Sequence, residues 1–172
     1  MKYHLPLILM VVFVLTSCGS TDTKTTERVE AVRAQIAAGK QPVFNPSMVT
    51  KEEKERVRVD ANQFVSELNR IIQRRDYSAW TRYLEPKYRE RLESKENLML
   101  ASQSDRLKQK KIVLQNLLDY FVNVVVPSRS NLRVDDIEFI SENRVKTFMN
   151  ENGQRLRIYE LERYGDSWRV IN

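Results

Sequence analysis

The chain's one histidine and one cysteine, His4 and Cys18, both lie within the first eighteen of 172 residues. Everything after Cys18 must therefore do its chemistry with carboxylates, lysines, arginines, tyrosines and hydroxyls. That excludes Ser-His-Asp and Cys-His catalysis. It also removes the usual zinc and copper ligands and the commonest general base near neutral pH. Asp135, Asp136 and Glu138 form an acidic knot at the start of an expected strand. Calcium sites use such residues, but no glycine separates these three, and strand alternation sends Asp136 and Glu138 to one face and Asp135 to the other. They read as a solvated turn, so neither a metal, a cofactor nor a catalytic residue is expected. Glu160 follows Leu156 and Ile158 in the same alternation and is the one acid with a path inward. It would serve as an acid or base only if burial raised its pKa. A cross-strand arginine would instead hold it ionised. Trp80, Tyr83, Tyr88, Phe121 and Phe139 are candidate pocket residues, because ligand pockets are concave and mostly apolar. The same rings, together with Trp168, serve equally well to fill a core.

The elements that must position these residues follow from hydrophobic period. Thr26 to Ala38 reads as a short helix with Val29, Val32 and Ile36 on one face and Gly39 behind it. Pro42 and Pro46 make residues 41–49 extended or looped. Thr50-Lys51-Glu52-Glu53 is a capping box. Behind it Val57, Ala61, Phe64, Val65, Leu68, Ile71 and Ile72 form an amphipathic stripe to about Arg75. Asp76 caps a short helix carrying Tyr77, Trp80 and Leu84. Pro86 then suits the first position of another helix bearing Tyr88 and Leu92. Residues 94–103 fit no single period, although Leu98, Met99 and Leu100 call for burial. Ser104-Asp105 opens a stretch with Leu107, Leu114, Leu118, Phe121 and Val125 at helical spacing. It is read as helix to about Asn123 and ended by Pro127. From Leu132 the period changes to two. Ile137 and Phe139, Val145 to Met149, Leu156 to Arg163 and Trp168 to Ile171 predict a four-stranded antiparallel meander, with Asn152-Gly153 as a hairpin turn. On the third strand Leu156 and Ile158 are expected on one face, with Tyr159, Leu161 and Arg163 on the other.

The start of the chain is of another kind. Lys2 precedes Leu5 to Leu15, which is apolar apart from Pro6. That run covers roughly 16 Å as a helix, against about 30 Å of hydrocarbon in a bilayer, so it reads as an export signal. Leu15-Thr16-Ser17-Cys18 resembles the lipobox of bacterial lipoproteins, in which a leucine stands three before an obligatory cysteine. The resemblance implies cleavage before Cys18 and a diacylglycerol thioether on its sulfur, with a further acyl group on the new amino terminus. Two or three fatty chains anchor stably where one does not. An exported chain with one cysteine cannot close an internal disulfide, which agrees. The division expected is residues 1–17 as signal peptide, 18–49 as a lipidated tether with a short helix, and 50–172 as one globular domain. Loss of Lys2 leaves a net charge of +5 in place of +6. Basic residues cluster at Arg74-Arg75, Lys87-Arg89-Arg91 and Lys108-Lys110-Lys111, but acids are interleaved. They read as solvated helical faces with some attraction for anionic headgroups or an acidic envelope partner, not for nucleic acid.

Helices followed by an antiparallel meander are an α+β layout. Arg75-Asp76-Tyr77-Ser78-Ala79-Trp80, Tyr83-Leu84 and the terminal Gly165-Asp166-Ser167-Trp168-Arg169-Val170-Ile171 resemble the nuclear-transport-factor-like, or SnoaL-like, α+β cone, over roughly Thr50 to Asn172. That resemblance implies a sheet curled about a helix with an apolar cavity inside. The family's early hairpin is not legible near residues 94–103, and none of its catalytic residues can be carried over. The function expected is a membrane-tethered, non-enzymatic binding or scaffolding domain of the cell envelope, on the exported or periplasmic side of the inner or outer membrane. A pocket for an apolar small molecule or lipid is the alternative, and a histidine-free isomerase-like enzyme is a third reading. Cys18→Ser is expected to abolish acylation and cleavage. Mass spectrometry of the native protein should find an acylated Cys18 as its first residue, and an unmodified Cys18 or a start elsewhere would overturn the anchor.

Overall fold

The structure is a computed structural model that describes Thr26, Glu27, Val29, Glu30, Arg33, Ala34 and residues 44–172. The segment read as a signal peptide, Cys18 and most of the segment read as a tether lie outside the described residues. The six described positions between Thr26 and Ala34 are helical and exposed. From Phe44 onward, a set of helices precedes a four-stranded antiparallel sheet, which is the expected α+β layout.

Helix α1, Lys51–Gln73, begins where the capping box places it, with the Thr50 hydroxyl accepting from the Glu53 N–H at 3.1 Å. Ala61, Val65, Leu68 and Ile72 are almost wholly shielded and form the centre of the main core. Phe64 is only half-buried at its margin. The polar side of α1 is not idle. Arg58 donates to the Val134 carbonyl, Asn62 accepts from the Val134 N–H, Asn69 donates to the Leu132 carbonyl and Gln73 to that of Ser130. One helix thus holds the core with one face and the 130–134 connection with the next.

α1 ends on Arg75 in the left-handed region, φ 55°. Asp76 N–H reaches back to the Ile71 carbonyl at 3.1 Å, as a Schellman ending requires. Asp76 then caps α2, Tyr77–Arg82, through the Ala79 N–H. Pro86 opens α3, Pro86–Glu93, as expected. Residues 94–103, left open by the sequence, form α4, Lys95–Ser102, capped by Ser94. The expectation that all three apolar residues there are buried is corrected. Leu98 is buried, whereas Met99 and Leu100 are 61% and 66% exposed, because one helix can turn only one of three consecutive residues inward.

The single helix expected from Ser104 to Asn123 is also corrected. α5, Asp105–Gln109, stops at Lys111, which takes φ 55° while Ile112 N–H bonds the Leu107 carbonyl. Residues 112–115 have no regular secondary structure. Helix resumes as α6, Leu117–Tyr120, widens into a π-helical segment, Phe121–Val125, and continues as α7, Val126–Arg129. Pro127 therefore sits inside helical structure instead of ending it. A proline cannot donate to the carbonyl four residues earlier, and its ring crowds that carbonyl. Here that carbonyl belongs to Asn123, and Arg106 donates to it from α5. The wide turn relieves the crowding, with Val126 N–H reaching back to Phe121. Leu98, Leu107 and Leu114 make a second, smaller core under these elements.

Strands β1, Asp136–Ser141, β2, Arg144–Glu151, β3, Gln154–Tyr164, and β4, Ser167–Val170, pair in chain order as a meander. Asn152 and Gly153, at φ 50° and 76°, make the expected turn between β2 and β3. The register breaks between Thr147, opposite Tyr159, and Phe148, opposite Arg157, so Ile158 is an extra, bulged residue. The bulge corrects the expected faces of β3. It puts Leu156, opposite Met149, on the same face as Tyr159 and Leu161, and turns Arg157 away from the core.

Leu68→Ala is expected to cost about 2–5 kcal/mol in urea melts, as for other fully buried leucines, and Phe64→Ala clearly less. Lys111→Gly should stabilise by roughly 0.5–1 kcal/mol, since glycine relieves the left-handed strain but loosens the unfolded chain. A destabilised Lys111→Gly would contradict the break described at that residue.

Candidate functional site

A short parallel bridge joins the helical half to the sheet edge. Val170 N–H donates to the Tyr83 carbonyl and Glu85 N–H to the Val170 carbonyl, at 2.8 and 2.9 Å. The bridge fixes Leu84 against β4 and aims the side chains of α2 and α3 at the inner sheet face. Between them lies a partly enclosed cavity of about 30 Å³. Trp80, Leu84, Leu92, Val125 and Val170 make its apolar wall, and Tyr88, Tyr120, Tyr159 and Arg129 bring the polar atoms.

Each polar group is placed by a separate device. Tyr88 follows Pro86 by two positions, and its N–H is held by the Glu85 carboxylate at 2.9 Å. Tyr120 ends α6 at the start of the π-helical segment. Arg129 ends α7, donates to the Ile158 carbonyl, and lies 5.1 Å from the Tyr159 ring centroid. Tyr159 is pinned by Thr147, whose hydroxyl donates to the Tyr159 carbonyl at 3.0 Å and accepts from its N–H at 3.2 Å. The Tyr159 hydroxyl is buried, with the Arg129 guanidinium beside its oxygen and no acceptor for its proton. Burial pushes its pKa up to about 12, with the Arg129 charge pulling the other way. Burial likewise raises Tyr88 and Tyr120 above the ordinary phenol value, again opposed by Arg129. All three phenols are therefore protonated donors at neutral pH. Arg129 makes no ion pair with a carboxylate among the described residues.

Of the five rings singled out in the sequence, Trp80 and Tyr88 line this cavity. Phe121 lies behind Trp80, centroids 4.9 Å apart, and is fully buried. Tyr83 turns to Phe64 at 5.5 Å, and Phe139 packs on Phe44 at 6.1 Å. The structure does not gather the five in one place. Trp168 closes the main core, its indole N–H on the Asp60 carboxylate at 3.0 Å, with Arg163 pairing to the same carboxylate. Tyr120, Arg129 and Tyr159 were missed in the sequence. A tyrosine in an apolar run asks for a hydroxyl partner once buried, and that was the one available signal.

The acids fall elsewhere. Asp136 and Glu138 are both bonded by Arg155, Asp136 also by Lys54, and Asp135 by Arg133 and the Asn150 N–H. Among the described residues no cluster of acids is arranged to hold a metal ion. Glu160 is buried, but it lies on the sheet face opposite Tyr159 and Leu161. Arg144, diagonal to it on β2, donates Nε to its carboxylate at 2.6 Å.

A curated protein of Treponema pallidum (strain Nichols), an "Uncharacterized lipoprotein", is 36% identical over 144 residues, spanning 84% of this chain and 76% of that protein. The chain belongs to this family of bacterial lipoproteins. No protein-family model matches it, and no solved structure does. The lipoprotein has, among its described residues, no helix long and apolar enough to cross a membrane. Its site is thus known by geometry alone: a small, largely apolar cavity with three neutral phenols and one guanidinium.

Tyr159 resists ionisation in the fold, whereas in the unfolded chain it ionises near pH 10. Its contribution to stability is therefore complete below pH 10 and lost as pH rises through about 12. Tyr159→Phe should flatten that alkaline loss and remove the latest component from the tyrosinate absorbance titration. An unchanged titration would mean that Tyr159 is open to water. Asp136 behaves oppositely. Burial pushes its pKa up, but the bonds from Lys54 and Arg155 outweigh this and hold it below the usual carboxylate value. Its contribution is present at neutral pH and lost as pH falls through the lowered value, so Asp136→Asn should shrink the difference in urea midpoint between neutral and acid pH.

Proposed function

We propose that this lipoprotein is a non-enzymatic domain, tethered through Cys18 to the exported side of an envelope membrane, that binds or scaffolds another envelope protein. The observation that carries the reading is the filled interior. The internal cavity of about 30 Å³ has room for little more than two waters, against several hundred Å³ for a small-molecule pocket. Among the described residues two larger concavities are open surface grooves. One of about 600 Å³ is bordered by Arg82, Arg89, Arg169, Glu90 and Glu93, and one of about 330 Å³ by Leu100, Arg106, Tyr120 and Val124. The relative's description as a lipoprotein and the Leu15-Thr16-Ser17-Cys18 segment support the anchor. The pairing of Glu160 with Arg144 supports the non-enzymatic reading, since the one suspect acid is held by a cation and turned from the cavity. The nuclear-transport-factor-like cone belongs to the same proposal. The terminal meander and the Leu84–Val170 bridge favour it, while the helix at Lys95–Ser102 replaces the family's early hairpin.

The test is photocrosslinking in the native membrane from groove positions Arg89 and Leu100, with a position on the outer sheet face as control. Discrete adducts to one envelope protein from the grooves, and none from the control, are expected. Absence of any protein adduct, together with a stoichiometric apolar molecule released from the purified native lipoprotein, would overturn the reading in favour of a lipid or small-molecule carrier.

A further inference from the structure

The cavity beside Arg129 is too small for a lipid, but its chemistry is not that of an inert void. We propose that it binds a small free carboxylate of formate or acetate size, held by the Arg129 guanidinium and the hydroxyls of Tyr88, Tyr120 and Tyr159. The charge balance is the first argument. Arg129 is half-buried against the Tyr159 ring and, among the described residues, has no carboxylate partner. A guanidinium carries five N–H donors in a planar fork. One guanidinium nitrogen, Nη1, is engaged with the Ile158 carbonyl. A desolvated cation without an anion is costly, and a planar carboxylate is the anion its fork fits best.

The second argument is independent of charge. The Tyr159 hydroxyl is buried in the cavity wall, with the Arg129 guanidinium beside its oxygen and no acceptor for its proton, which is costly until an acceptor arrives. A carboxylate has about four acceptor positions, and here three phenol donors and a guanidinium converge while no acid lines the wall. Burial keeps every phenol in its donor form. Size sets the limit at the other end. About 30 Å³ admits two oxygens on one carbon and a methyl against Trp80 and Leu84, and leaves no path for a long acyl chain.

The test uses the full-length lipoprotein in detergent with its tyrosines isotope-labelled at the phenol carbon. Sodium acetate replaces sodium chloride at constant ionic strength, and NMR follows Tyr88, Tyr120 and Tyr159. Expected is a saturable shift of all three resonances with acetate, and none with octanoate. Arg129→Gln should weaken acetate binding at least about tenfold, as loss of a charge-assisted bond implies. Tyr159→Phe, which removes a hydroxyl whose proton no protein group accepts, should fold normally and weaken it several-fold. It keeps the question answerable should Arg129→Gln not fold. No saturable shift would overturn the proposal. So would chloride competing as well as acetate, octanoate binding equally well, or undiminished affinity in Tyr159→Phe. None of these outcomes depends on whether the surface grooves hold a protein partner.

Discussion

Where β2 passes Thr147, β3 carries one residue more than its partner strand can match, and much of the interior follows from that. Ile158 bulges, so the inner face of β3 takes Leu156, Tyr159 and Leu161 in place of Arg157. A regular strand would have driven Arg157 toward the apolar centre. Thr147 stabilises the irregular backbone with both halves of its hydroxyl, which is why a fully buried threonine stands in this core. The carbonyl that the bulge frees, Ile158, is taken by Arg129 from the helical half. One backbone irregularity thus brings a cation and a phenol together in the cavity wall.

Helical geometry meets the sheet through similar borrowing. Pro127 frees the Asn123 carbonyl and Arg106 takes it, so the chain stays helical long enough to deliver Arg129. Immediately afterward the backbone of residues 130–134 runs along the polar side of α1, where Arg58, Asn62, Asn69 and Gln73 bond it. Buried or half-buried backbone groups must find partners, and here long side chains supply them. These contacts set the angle at which β1 enters the sheet.

The outer face of the sheet is organised by charge and not by apolar packing. Arg155 bonds Asp136 and Glu138 while its guanidinium lies 3.4 Å from the Phe148 ring centroid, covering a large apolar side chain there. Arg144 and Glu160 pair beside it. The exposed pairs of Arg155 add little stability singly, whereas the Glu160 carboxylate that Arg144 holds is buried. The pairs keep these acids and arginines off the inner face, where Arg129 lines the cavity.

The sequence by itself determined the starts of α1, α2, α3 and α5, the α1 stripe, the Asn152-Gly153 turn, the four strands in order and the absence of histidine and thiol after Cys18. These are local matters: a cap, a proline, a turn dipeptide or a period of 3.6 or 2 acts within a few residues of itself. The lipobox is equally local, which is why the family was legible before any fold. Tertiary structure decided the rest. The stop at Lys111 was hidden because a lysine, not a glycine, occupies the left-handed position, and only packing on Leu98 and Leu114 favours that strain. Pro127 misled because its usual penalty is met by Arg106, far away in space from anything its neighbours reveal. Trp80 and Tyr88 were visible as rings, but Tyr120, Arg129 and Tyr159 become one site only through the register break at Ile158. A bulge depends on two strands at once, so no period within either strand records it.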